Sequence, residues 1–137
     1  DPGVTVVAAA AGAADGEVTL YPQAGNPRAG ARARPEGASI FGDKRNVDAG
    51  HPLRVPMVDI AGYIAALDRD VAILKIDIEG AEVPLLERLL DHPVLPRIAA
   101  IFAETHERAI PALADRTEAL RQRTAGLARP VIDLRWG

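Results

Sequence analysis

The sequence contains no cysteine. A disulfide framework and thiolate metal sites are therefore excluded, and a cytoplasmic setting is the expectation. Nor is charge of one sign massed anywhere. With 16 Lys and Arg against 19 Asp and Glu, the net charge is −3, which leaves no electrostatic footprint for nucleic acid or an anionic membrane. Long apolar runs are missing too. The longest, Val4 to Ala14, falls far short of the roughly 20 residues a membrane span needs, and no basic segment precedes it to suggest a secretion signal. There is no initial Met either: the chain opens at Asp1, a few residues before an apolar run, and is expected to continue upstream.

What remains is a chain of 137 residues, 48% of them hydrophobic, enough for one domain with a core. Its partners are expected to be small molecules. The alanine and arginine bias is of the kind associated with GC-rich bacterial genomes.

Val4 to Ala11 is continuously apolar, as suits a strand buried on both faces of a parallel sheet. Asp15-Gly16 signals a tight turn, after which Glu17 to Tyr21 is expected to fold back on its predecessor. Pro22 to about Pro56 is rich in Gly, Pro, Ala and Arg and has no sustained period, which predicts a long loop or insertion over residues 21–57. Asp59 is placed to cap a helix carrying Ile60, Tyr63, Ile64 and Leu67 at helical spacing. Val71 to Ile78 repeats the buried-strand pattern, followed by a Leu-rich helix from Ala81 to Leu90 in which Pro84 falls near the first turn. A strand over Ile98 to Ala103, a helix over Pro111 to Ala125 closed by Gly126, and a strand over Val131 to Trp136 complete the series. Strands alternating with helices predict an α/β fold with a mostly parallel sheet and helices on its faces.

The chemistry concentrates at two strand ends. Lys75, Asp77 and Glu79 alternate with isoleucines and are expected to share a strand face. Ligands of open parallel sheets bind beyond the carboxyl ends of the strands, which puts Asp77 and Glu79 at such a crevice while Gly80 lets the chain turn. Capping of the next helix accounts for these carboxylates equally well. Lys75, costly in a strand interior, reads as half of an ion pair with a neighbouring strand. The next strand ends in Glu104-Thr105-His106, whose Glu104 and His106 emerge at the same sheet edge. With Asp77 they make an acid–base or metal-binding cluster, though a solvated loop pair also fits and the spacing matches no specific metal motif. His51 and His92 precede prolines and read as exposed loop residues. Arg28, Arg32 and Arg34 read as solubilising residues rather than an anion site.

These segments resemble a known family. ILKIDIEGAEVPLLERLL is similar to the hallmark of FkbM-type methyltransferases, a lysine and D-x-E-G-A-E running into a Leu-rich helix. VTVVAAAAGAADGEVTLY, Gly37-Ala38-Ser39 and VPMVDIAGYI resemble other family segments in order and spacing, and FAETHE resembles a subgroup. The resemblance implies a Rossmann-like class I methyltransferase sheet, S-adenosylmethionine as cofactor, and methylation of an oxygen on a sugar or other small metabolite. It would place Asp77 and Glu79 beside the methionine part of the cofactor and the acceptor, and Ala10 and Gly12 near the adenine, with Asp77, Glu104 or His106 as the base. The family's glycine-rich first loop and the acidic residue after its second strand have no counterpart here, and Ala13 stands where an acidic residue is frequent. A methyltransferase sheet incomplete at its N-terminal side is therefore the expectation for residues 1–137.

Two other readings remain open from the residues. One is a metal-dependent hydrolase with Asp77, Glu79, Glu104 and His106 as ligands. The other is a non-catalytic binding or assembly module that associates through open strand edges.

Overall fold

The computed structural model describes residues 3–25 and 34–135. Among these residues seven strands make two sheets, accompanied by three α-helices. The first sheet comprises β1 (Ala10–Gly12), β2 (Gly16–Gln23), β3 (Arg34–Ser39) and β4 (Leu53–Asp59), in the order β1-β4-β2-β3. The second comprises β5 (Val71–Ile76), β6 (Ile98–Ala103) and β7 (Val131–Asp133), in chain order. The helices are α1 (Ile60–Ala65), α2 (Glu82–Asp91) and α3 (Ala114–Thr124), the last preceded by a 3-10 turn at Pro111–Leu113.

This is a mixed α/β fold. The second sheet is wholly parallel. In the first, β1 runs parallel to β4, but β2 is antiparallel to both β3 and β4, so the expected mostly parallel sheet holds for half the molecule.

The segment expected to be irregular carries the largest correction. β3 lies within it and β4 begins there, and β4 takes the place beside β1 that β2 was expected to fill. Its ladder sets Val55 opposite Val18 and Leu53 opposite Leu20, while Pro56 at its centre is a residue that normally argues against an inner strand. Asp15 fastens the preceding turn by accepting the Asp59 N–H at 2.9 Å. Arg28, Arg32 and Trp136 lie outside the described residues, and Arg34 opens β3.

At the start of the chain only Ala10–Gly12 is strand. Val4, Val6 and Val7 are exposed, because residues 4–9 have no ladder partner among the described residues. α1 begins as expected, with the Asp59 carboxylate accepting the Ala61 N–H at 3.0 Å, but it ends at Ala65, so Leu67 follows the helix. Arg88 of α2 donates to Asp59 at 2.9 Å. That bond, more than any other cause, holds the Asp59 carboxyl below its usual range.

The core lies against the second sheet. Leu85, Leu86 and Leu89 on one face of α2 pack with Ile76, Ile98, Ile101 and Ala103 of the strands and with Leu113 and Leu120 near and on α3. On the opposite face, Ile73 and Val131 stand 65% and 62% exposed, in register through Ala100. Helices on both faces were expected; among the described residues this row carries none.

Candidate active site

The site forms where β5 and β6 end. β5 stops at Ile76, and residues 77–80 turn sharply into α2. Gly80 has φ of 110°, and a Cβ there would run into Ile110 and the Phe41 ring, so both backbone and space demand glycine. Glu79 is also left-handed, with φ of 58°, a conformation that costs a residue with a side chain. The buried Ser39 hydroxyl donates to the Glu79 carbonyl at 2.5 Å, while Lys44 pairs with the Glu79 carboxylate and donates to the Gly37 carbonyl at 3.0 Å. Glu79 therefore reaches the site through its backbone twist rather than by strand alternation. Lys75 stays beside Asp77, its own near neighbour, at 3.7 Å.

The residue that organises the turn is Glu82, fully buried at 0% exposure. One carboxylate oxygen accepts the Ile78 N–H at 2.8 Å and the other the Gly80 N–H at 2.7 Å. Asp77 and Glu79 do not cap α2. Its cap residue, Ala81, makes no side-chain bond, and Glu82 satisfies the free N–H groups ahead of the helix in the manner of a capping box.

His106 lies at the centre of four carboxylates. Its Nδ1 is buried and 3.0 Å from Glu82 Oε1. Its Nε2 lies 3.2 Å from Glu79 Oε2 and 3.9 Å from Glu104 Oε1. Asp77, Glu82 and His106 bring one oxygen or nitrogen each to within 4.8 Å of one another. Glu82 raises the His106 pKa above its ordinary value; burial opposes this, and Glu79 and Glu104 reinforce it. The four candidates expected from the sequence, Asp77, Glu79, Glu104 and His106, are thus one cluster.

Glu82 was missed as a site residue although it ends the D-x-E-G-A-E motif; a helical glutamate reads as surface until its burial is known. Lys44 was missed because it belongs to the segment expected to be irregular. Within the group of Asp77, Glu82 and His106, the Glu82 oxygens each accept one N–H bond and His106 Nδ1 faces Glu82.

Two clefts meet at this cluster. The larger, about 450 Å³, is lined by residues 104–109 with Arg121, Leu134 and Arg135. The smaller, about 290 Å³, is lined by Gln23, Lys44, Arg45, Asn46, Glu79, Arg108 and Ala109. Arg108 and Ala109 line both. At the edge of the larger cleft, Glu107 is raised by burial, but its bond from Arg121 and further hydrogen bonds outweigh this and hold it below its usual range.

Ala10 lines a separate, mainly apolar cleft with Ala9, Ala11, Val58, Ile60 and Tyr63, about 290 Å³ in volume. Gly12 is buried under the Met57 side chain, which occupies the place a Cβ would take. His51 is exposed and pairs with Asp48 at 2.8 Å, while His92 Nδ1 accepts the Val94 N–H at 3.1 Å at the end of α2. Among the described residues, no helix is long and apolar enough to cross a membrane.

No curated protein and no solved structure matches the chain. Residues 1–125, nearly the whole sequence, match the family model described as Methyltransferase FkbM domain; the chain belongs to the FkbM methyltransferase family.

Proposed function

We propose that this domain transfers a methyl group from S-adenosylmethionine to a hydroxyl of a sugar or other small metabolite, with His106 as the base. The observation that carries the reading is the cluster of His106 with Asp77, Glu79, Glu82 and Glu104 beside open clefts, in a chain of this family.

The residues suit the cofactor at both of its chemical ends. Asp77 offers a half-exposed carboxylate for an ammonium group. The alanine-walled cleft with Tyr63 offers small, apolar surroundings for a flat base. Gly12 faces Met57 on its Cα side, so packing accounts for that glycine, and Ala10 is the better candidate for the adenine. When bound, S-adenosylmethionine supplies an electrophilic methyl carbon whose bond to sulfur breaks as a neutral thioether leaves.

The chain's own residues position the acceptor and manage one proton. With its Nδ1 proton towards Glu82, His106 keeps the Nε2 lone pair for the acceptor hydroxyl. As the oxygen bonds to carbon, its proton passes to Nε2, and the resulting imidazolium is stabilised by Glu79 and Glu104. A raised pKa makes the imidazole a stronger base, and the neutral form that accepts the proton prevails once the pH exceeds that pKa.

Calorimetric titration with S-adenosylmethionine and S-adenosylhomocysteine tests the reading, using this chain and one extended upstream. Micromolar affinity, about −8 kcal/mol, is expected from the extended form; no binding by either form would sink the proposal. In an active form, His106→Gln should lower kcat by about 10²-fold or more, and wild-type kcat/KM should rise with pH through the His106 pKa.

A further inference from the structure

The smaller cleft has a charge pattern that the methyl-transfer chemistry leaves unused. Most arginines whose side chains are described pair with a carboxylate. Arg45, Arg108 and Arg129 form no ion pair among the described residues, and the first two line this one cleft. Lys44 is the third cation there, but its charge is matched by Glu79. Two guanidinium groups therefore stand uncompensated in a chain whose net charge is −3.

The wall that carries Arg45 is fixed rather than loose. Asn46 adopts φ of 66°, its carbonyl accepts the Ala24 N–H at 2.8 Å, and the Asp48 N–H donates to the Pro22 carbonyl at 2.8 Å. The Arg45 N–H reaches the Ala109 carbonyl at 3.4 Å, which ties this wall to the one bearing Arg108. Gln23 and Asn46 add neutral polar groups to the lining.

We propose that this cleft binds an anionic oxygen group, a carboxylate or phosphate, carried by the methyl acceptor. Guanidinium groups recognise such oxygens through paired, charge-assisted hydrogen bonds. Glu79 would repel an anion if bare, but Lys44 neutralises it, so the lining has a surplus of positive charge. Because Glu79 also contacts His106, a group held by Arg45 and Arg108 places the rest of a small acceptor beside the base. The assignment of the anion to the acceptor rests on the methyltransferase reading; the anion site itself does not.

The test is a titration of the isotopically labelled 137-residue chain followed by amide NMR, with inorganic phosphate and glucuronate as probes and glucose as the uncharged control. Shifts are expected at Arg45, Asn46, Arg108 and Ala109 with both anions and not with glucose. Affinity for the anions should fall about tenfold or more in Arg45→Gln/Arg108→Gln and stay unchanged in Arg129→Gln. All of these side chains are exposed, so the fold should survive, which circular dichroism checks. Absence of shifts in this cleft, or equal affinity in the double variant, overturns the proposal. Saturating S-adenosylhomocysteine separates the sources. Displacement of phosphate by it would assign the cleft to the cofactor's carboxylate and overturn the acceptor assignment, whereas failure of S-adenosylhomocysteine to bind either this chain or the form extended upstream would remove the methyltransferase reading and leave the anion site standing.

Discussion

Glu82 and His106 meet 3.0 Å apart although one is wholly inside the protein and the other belongs to the strand-end cluster. A buried carboxylate is tolerable only when its oxygens are satisfied, and here both accept N–H bonds from the turn that carries Asp77 and Glu79. The same side chain therefore shapes the turn and biases the imidazole. Several measurable consequences come from this double role and from the backbone around it.

The first concerns pH. Because the folded-state pKa of His106 is raised above 6.5, protonation is tighter in the folded than in the unfolded chain. The resulting stabilisation is complete below about 6.5 and is lost as pH rises through the folded value. Urea unfolding at a series of pH values should show this decline in the wild type and a flatter profile in His106→Gln. In Glu82→Gln, the His106 pKa followed by NMR should move down.

Truncating Glu82 should harm the fold itself. Glu82→Ala leaves the buried Gly80 N–H and the part-buried Ile78 N–H without their acceptor, at a cost of about 1–3 kcal/mol for the buried group and less for the other. Equilibrium unfolding measures this, and a loss under about 0.5 kcal/mol, the range of an ordinary surface substitution, would contradict the role given to Glu82.

Gly80→Ala and Gly126→Ala form a matched pair. At Gly80 the new methyl meets Ile110 and a φ of 110°, so destabilisation of about 1–3 kcal/mol is expected. At Gly126 a Cβ meets nothing within 4 Å, and Ala should be neutral or stabilise by about 0.4–1 kcal/mol. Thermal or urea unfolding of both variants checks the contrast.

The sequence made the second sheet legible because its rules are local. Ile98–Ala103 is an unbroken apolar run, Leu85, Leu86 and Leu89 repeat at helical spacing, and Asp59 stands at a helix start. The first sheet was hidden because its pairing is long-range. Pro56 and the Gly-rich surroundings of β3 mask strands whose partners are distant in sequence, as Val18 is from Val55. The site divided in the same way. Strand-end position pointed to Asp77, Glu79, Glu104 and His106, whereas Lys44 and Glu82 join only once the fold brings a distant segment and a buried helix face to the turn.

Glu79 is where the two sheets are stitched together at the site. Ser39 and Lys44 hold it from the side of the first sheet, and His106 contacts it from the end of the second. Its left-handed backbone is a conformation that a residue with a side chain adopts only when its surroundings impose it, and here both grips supply that constraint. Seating of the segment from Gly37 to Lys44 is thus tied to the placement of Glu79 beside His106, whereas the leucine core beneath α2 makes no use of either contact.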